Sequence, residues 1–187
     1  MAEPAIRPAG ALAADEIRRL LAGDPPLASG LADPTLQIQP NGLDVRLDSL
    51  WLPEAAGRLG REERTLPPRR ELPFEPAGWA HLPAGAYVVR FCETVHLPLD
   101  LMALGFARSS LLRAGCGLLN AVWDAGYRGR SEALLAVLNP AGFSVQQGAR
   151  IAQLVFFRLG NSTEPYRGAY QGENTERHPQ PPSAPIV

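Results

Sequence analysis

Leu43-Asp44-Val45-Arg46-Leu47 is the stretch that decides the fold. Apolar residues alternate with charged ones at a period of two, the pattern of a strand with one face toward a core. The period returns downstream, where Tyr87, Val89 and Phe91 interleave with Val88, Arg90 and Cys92. Residues 134–138 and 151–157 are near-continuous apolar runs, the second with Gln153 inside it. All four are short units bounded by Gly, Pro or Asn, which points to an all-β sandwich or barrel. The 19 Pro and 18 Gly among 187 residues argue the same way, against a helical bundle. One helix is legible: Asp15 as its cap, Glu16 at its positive end, and Ile17, Leu20 and Leu21 at helical spacing. Gly23 and the pair Pro25-Pro26 close it.

The length suits a single domain spanning residues 1–187. Two regions stand apart from the strand pattern. Residues 52–78 hold Arg58, Arg61, Glu62, Glu63, Arg64, Arg69, Arg70 and Glu71 among prolines, and read as a solvated loop or long surface hairpin. Residues 160–187 are polar and end in a Pro-rich run, which predicts a mobile C-terminal lid and tail, or one ordered only against a partner or ligand.

Composition excludes several chemistries. Lys and Arg total 18, and every one is Arg. A phosphate loop of the Walker type, a Schiff base and pyridoxal-phosphate chemistry all need a lysine amine and are excluded. Any anion must be held by Arg, hydroxyls or backbone N–H groups. Cys92 and Cys116 form no Cys-x-x-Cys, no His-x-Glu is present, and the zinc-deaminase pattern is therefore missing. The two thiols read as buried residues of a reducing compartment, the cytoplasm. His81, His96 and His178 receive no functional role. No apolar run reaches membrane length, and Met1-Ala-Glu-Pro4 lacks the basic and apolar segments of a secretory leader. A formal net charge of −1 gives no reason to expect nucleic-acid binding.

Four motifs remain that carry chemistry. Arg108-Ser109-Ser110-Leu111-Leu112-Arg113 sets two cations around two hydroxyls, a donor set suited to a polyphosphate and equally to a capped surface turn. Asn120-Ala121-Val122-Trp123-Asp124-Ala125-Gly126-Tyr127-Arg128-Gly129 leads an apolar segment to one carboxylate, then to a turn with an aromatic between two glycines. An aromatic there can stack on a sugar or base, and the carboxylate can orient and deprotonate water. Gly148-Ala149-Arg150-Ile151-Ala152-Gln153-Leu154-Val155-Phe156 holds an amide that needs partners if buried. Gln39-Pro40-Asn41-Gly42-Leu43-Asp44 turns into a strand whose carboxylate can pair with an Arg.

In this order and spacing the set resembles the trimeric dUTPase and dCTP deaminase superfamily, from about residue 15 to residue 175. Gln39-Pro40-Asn41-Gly42-Leu43-Asp44 and the Arg-Ser-Ser segment look like the deaminase branch, and the segment from Gly148 to Phe156 is similar to a motif the superfamily shares. Asp124-Ala125-Gly126-Tyr127-Arg128-Gly129 is similar to the catalytic hairpin of dUTPases. The resemblance implies an all-β, dUTPase-like distorted jelly-roll (β-clip) with one short N-terminal helix, assembled as a homotrimer with shared active sites. It implies a dUTP diphosphatase that forms dUMP and pyrophosphate by water attack on the α-phosphate. By resemblance Asp124 contacts the deoxyribose 3′-OH and activates the water, while Tyr127 stacks under the sugar and excludes a ribose 2′-OH. The backbone of Asn120, Ala121 and Val122 would read the pyrimidine edge. Arg108, Ser109, Ser110 and Arg113 would hold phosphates, and Gln153 would sit at the nucleotide. Tyr166, Tyr170 and Gln171 would belong to a segment that folds over it. Mg²⁺ would be held mainly through the substrate phosphates, with no protein metal site.

The sequence departs from the family pattern at three places. A Lys often precedes the lid Tyr-Gln pair, where this chain has Ala169, and a Gln often stands where it has Glu173. The deaminase branch places a proton-transferring Glu about ten residues beyond the hairpin Asp. That position is Leu134 here, or Ala136 once two extra residues are allowed for. Glu132 is the nearest carboxylate, and a two-residue offset moves it about 6–7 Å along a strand. Proton transfer needs about 3 Å reach, so Glu132 reads as solvated or salt-bridged. The alternatives are a dCTP deaminase or bifunctional deaminase and dUTPase, and a non-catalytic nucleotide-binding member of the fold.

Overall fold

The structure, a computed structural model, describes residues 9–175. His178 and the Pro-rich run 179–185 lie outside the described residues. Its helices are Ala14–Leu21 (α1), Pro34–Gln37 (α2) and Ser109–Arg113 (α3). The principal strands are Gly42–Pro53 (β1), Arg69–Leu72 (β2), Gly85–Phe91 (β3), Leu101–Ala107 (β4), Cys116–Leu119 (β5), Glu132–Val137 (β6) and Arg150–Arg158 (β7). The architecture is all-β with short helices; α2 and α3 are single turns beyond the one helix expected.

β1 organises the sheets. Its first half pairs antiparallel with β7, Leu43 opposite Leu154 and Asp44 opposite Gln153. Its second half pairs with β3, Leu47 opposite Phe91 and Leu50 opposite Val89. Between Leu47 and Ser49 the register shifts by a bulge, and such an extra residue bends a strand and raises its twist. One strand thus leaves one sheet and enters the next. Outward from it the order runs β4–β7–β1–β3–β6–β5, with β2 also on β1. The period-two residues point inward as read: Leu43, Val45, Leu47, Tyr87, Val89 and Phe91 are buried together with Leu135, Leu154 and Phe156. Each such side chain contributes about 1.5–3 kcal/mol of burial.

Two polar ties fix the ends. Glu93 is fully buried, and its carboxylate accepts from Gln37 Nε2 at 2.8 Å, Arg46 Nε at 2.7 Å and Arg46 N at 2.8 Å. Gln37 turns its own Oε1 to Ala32 N at 2.9 Å, so α2 is stitched to β1 with every lone group matched. Arg158, on β7, reaches Glu16 of α1 at 2.7 Å and also pairs with Asp100. The helix itself starts one residue before the expected cap. Ala13 is the N-cap without a side-chain bond, and Asp15 lies inside the first turn, paired with Arg18 at 2.6 Å. Among the described residues no helix is long and apolar enough to cross a membrane.

Candidate active site

The segment 120–131 is fastened before it reaches Asp124. Trp123 is buried and exchanges two backbone bonds with Ala103 of β4, at 2.9 and 3.1 Å. Its ring lies against Gly105, and its Nε1 donates to Ser131 Oγ. Asp124 follows and is exposed. Its carbonyl accepts from Tyr127 N at 3.1 Å, closing a turn around Gly126, whose φ is +79°. That angle favours glycine, and an added Cβ there would stand 2.8 Å from Pro165. Beyond the turn Arg128 and Gly129 pair with His96 and Val95, so the hairpin is held on both sides.

Tyr127 turns inward and is buried. Its hydroxyl shares a 3.0 Å bond with Ser131 Oγ and donates to Glu173 Oε1 at 2.8 Å. A cleft of about 200 Å³ opens here, lined by Ala121, Val122, Trp123, Asp124, Tyr127, Ser131, Glu132, Tyr166, Tyr170 and Glu173. The tail runs along the hairpin of its own chain through Thr175. Tyr166 N donates to Ala125 O at 2.8 Å, Gly172 N to Arg128 O at 2.7 Å, and Arg130 N donates back to Glu173 O at 3.0 Å. The Tyr127 and Tyr166 rings meet edge to face, 5.9 Å apart.

Of the residues read from sequence, Ala121, Val122, Asp124, Tyr127, Tyr166 and Tyr170 therefore come together on one cleft. Asn120 lies beneath it, its Nδ2 bonded to Gly105 O at 3.1 Å and its buried Oδ1 without a protein partner. Gln171 braces the tail: Oε1 accepts from Arg128 N and Nε2 donates to Gly126 O, both at 2.8 Å. Arg108, Ser109, Ser110, Arg113 and Gln153 do not line this cleft. Arg108 and Gln153 meet the strand of Asp44 instead. Arg108 Nε pairs with Asp44 at 3.1 Å, and Arg150 pairs with the same oxygen at 3.2 Å. Asp44 is buried, and burial raises its carboxyl despite both guanidinium groups; its Oδ1 has no protein partner. Ser109 and Ser110 open the exposed start of α3, and Arg113 is exposed at its end. Gln153 stands opposite Asp44, its amide over Gly42, where a Cβ would come within 2.8 Å of Nε2.

Glu132 reaches the cleft but is not free. Arg69 grips it with two bonds, 2.6 and 3.0 Å, and Arg90 adds two, at 3.1 and 3.4 Å. Both guanidinium groups also pack on Trp51, at 4.6 and 4.4 Å from its ring centre. Burial pushes the Glu132 carboxyl up, but the two arginines outweigh it and hold the group below the usual carboxylate range. Glu173 is the contrary case: burial pushes it up, the Tyr127 bond opposes that only in part, and it rests at about 7. In the sequence Glu173 is only a departure from the family's Gln, and Arg69 only one charge of a solvated loop. Neither had a local signal, because each meets its partner far along the chain.

A family model described as dCTP deaminase-like matches residues 11–159. A probable deoxyuridine 5′-triphosphate nucleotidohydrolase of Methanosarcina mazei is 47% identical over 167 residues, covering 88% of this chain and 98% of the relative. One of Archaeoglobus fulgidus is 42% identical over the same length, with the same coverage. Among solved structures, the 2′-deoxycytidine 5′-triphosphate deaminase of Agrobacterium tumefaciens superposes with a TM-score of 0.63 at 26% identity over 81% of this chain. This chain spans 49% of that deaminase.

Proposed function

The chain belongs to the dCTP deaminase-like family, and on that premise we propose that it is a dUTP diphosphatase. The observation that carries this reading is the contrast between the carboxylates of the cleft. Asp124 is exposed at the turn, while Glu132 is gripped by Arg69 and Arg90. A carboxylate open to solvent can take a proton from water; one held in a two-arginine fork and kept ionised by it is a poor carrier of a proton. In the reaction, water oxygen bonds to the α-phosphorus and its proton passes to Asp124. The bond from the α-phosphorus to the bridging oxygen breaks, releasing dUMP and pyrophosphate. Tyr127 and Tyr166 form the apolar wall for the deoxyribose, and the backbone at Ala121 and Val122 lines the place of the pyrimidine.

Among the described residues no cluster of three or more His, Cys, Asp or Glu is placed to hold a metal. Mg²⁺ enters this reading, by the resemblance, as a companion of the triphosphate, where it would offset phosphate charge, and the protein's own groups carry the steps above.

The cations of the Arg-Ser-Ser segment stand off the cleft of their own chain, which supports a site completed by a neighbouring copy. The exposed Leu112, Leu119 and Leu138, at 67%, 60% and 74% exposure, support self-association, and we propose a homotrimer. Light scattering checks this directly: the expected mass is that of three 20.1 kDa chains.

The test of function supplies dUTP with Mg²⁺ and follows dUMP and pyrophosphate. Asp124→Asn is expected to lower kcat by at least about 10²-fold, as for the loss of a general base. Near-normal turnover in that variant refutes the role of Asp124. Ammonia released from dCTP would show that Glu132 escapes its clamp and would favour the deaminase reading.

A further inference from the structure

The region 52–78 enters the reading above only through Arg69, yet it touches the site twice. Its outer strands, Arg58–Leu59 and Arg64–Thr65, form a hairpin arm, and its inner strand is β2 on the edge of β1. Some of its charges are satisfied locally in the open, Arg58 with Glu63 and Arg70 with Glu54. Two are not. Arg69 forks onto Glu132 in the cleft wall, and the same carboxylate accepts from Asn174 of the tail at 3.3 Å. Arg64 lies with its guanidinium carbon 5.2 Å over the ring of Tyr170, which lines the cleft. No carboxylate partner of Arg64 is found among the described residues. Arm and tail therefore meet at two points, one through a stacked cation and one through a shared carboxylate.

We propose that the arm is a clasp for the tail: Arg64 is a positioning residue that, stacked on Tyr170, holds the tail across the nucleotide cleft. This rests on the reading of the cleft as a nucleotide site. The tail is fastened to the hairpin by a few backbone bonds, the Gln171 brace and the side-chain bonds of Glu173 and Asn174, all near the surface, so its closure is a local equilibrium that a stacking contact can shift. A cation over a tyrosine at a partly exposed site is worth about two- to fivefold in such an equilibrium. The contact also brings a positive charge beside the tail, where position 169 is Ala and Arg167 pairs with Glu164 at 3.3 Å.

The experiment compares the full chain with Arg64→Ala, Arg64→Lys, Tyr170→Leu and the Arg64→Ala/Tyr170→Leu double variant. Hydrogen exchange is followed at the amides of Tyr166 and Gly172 without nucleotide, and KM and kcat are measured with dUTP. Arg64→Ala should speed exchange at both amides by about two- to fivefold and raise KM by a similar factor, with a smaller change in kcat. Arg64→Lys should recover part of the effect, and in the Tyr170→Leu background Arg64→Ala should add nothing. Exchange unchanged in Arg64→Ala, or an undiminished effect in the Tyr170→Leu background, overturns the clasp. If the wild-type protein proves inert toward dUTP, the functional reading falls while the exchange cycle still decides the clasp.

Discussion

Gly105→Ala is a single methyl group placed where the site is built. An ideal Cβ at Gly105 lies 2.8 Å from Trp123 Cζ3, 2.9 Å from Cη2 and 3.0 Å from Asn120 Nδ2. Carbon atoms prefer about 3.5–4.0 Å, so the ring must retreat by roughly 0.7–1 Å. It has little room to do so. Trp123 is buried, bonded twice to Ala103 through its backbone and once to Ser131 through Nε1. The strain passes to the next residue, Asp124. Overpacking of this kind costs about 1–3 kcal/mol, and about 2–4 °C of melting temperature per kcal/mol in a chain of this size. A displacement near 1 Å at reacting groups can cost about 10²-fold in rate. The expected variant melts lower and, at saturating dUTP, turns over between about 10- and 100-fold more slowly. Gly160→Ala is the control, since a Cβ there meets nothing within 4 Å. Wild-type kcat and melting temperature in Gly105→Ala refute the reasoning. So does a Gly160→Ala variant that is equally impaired.

Two more outcomes follow from the half-buried Glu173 and the buried Glu93. Glu173 sits at about 7 in the folded chain against 4.5 as its ordinary value, so the folded state holds more proton between those limits. Its contribution to tail packing is complete below about 4.5 and is lost as pH rises through 7. In Glu173→Gln that pH dependence should vanish, read as limited proteolysis of the tail relative to wild type from pH 5 to 8. A constant ratio across that range contradicts the assignment. Glu93→Ala strands Arg46 and Gln37 in the interior and should destabilise by about 3–5 kcal/mol in urea unfolding. A loss below about 1 kcal/mol would mean the tie is not structural.

What could be read from the residues had short range. The alternation at Leu43–Leu47 and Tyr87–Phe91 is local, and it located two strands and their inward faces. The Asp124 turn was legible because Asp, Gly and an aromatic sit within four positions. Asp44 shows the limit: alternation places it outward, but the outer face of β1 is covered by Arg108, Arg150 and Gln153, so it is buried as well. Arg69 and Glu132 lie 63 positions apart, and Tyr127 and Glu173 lie 46 apart. No periodicity links such pairs. Only the docking of the arm and the tail brings them together. For the same reason the motifs read as one set along the sequence, while a single chain keeps the Arg-Ser-Ser segment away from the hairpin cleft.

The bulged β1 has a consequence for how the chain is made. It is synthesised early, yet one of its neighbours, β7, comes more than a hundred positions later, Leu43 pairing with Leu154. Until that strand leaves the ribosome, the first half of β1 offers an unpaired edge flanked by Leu43 and Val45. Such edges invite pairing with other nascent chains, and contacts this distant slow folding. The short hairpin Ile38–Gln39 with Gly42–Leu43 and the Glu93 tie need only earlier residues. They secure the opposite edge of β1 during translation, since Leu43 pairs with Ile38 on one side and with Leu154 on the other, and so hold the strand in shape while the edge meant for β7 stays open.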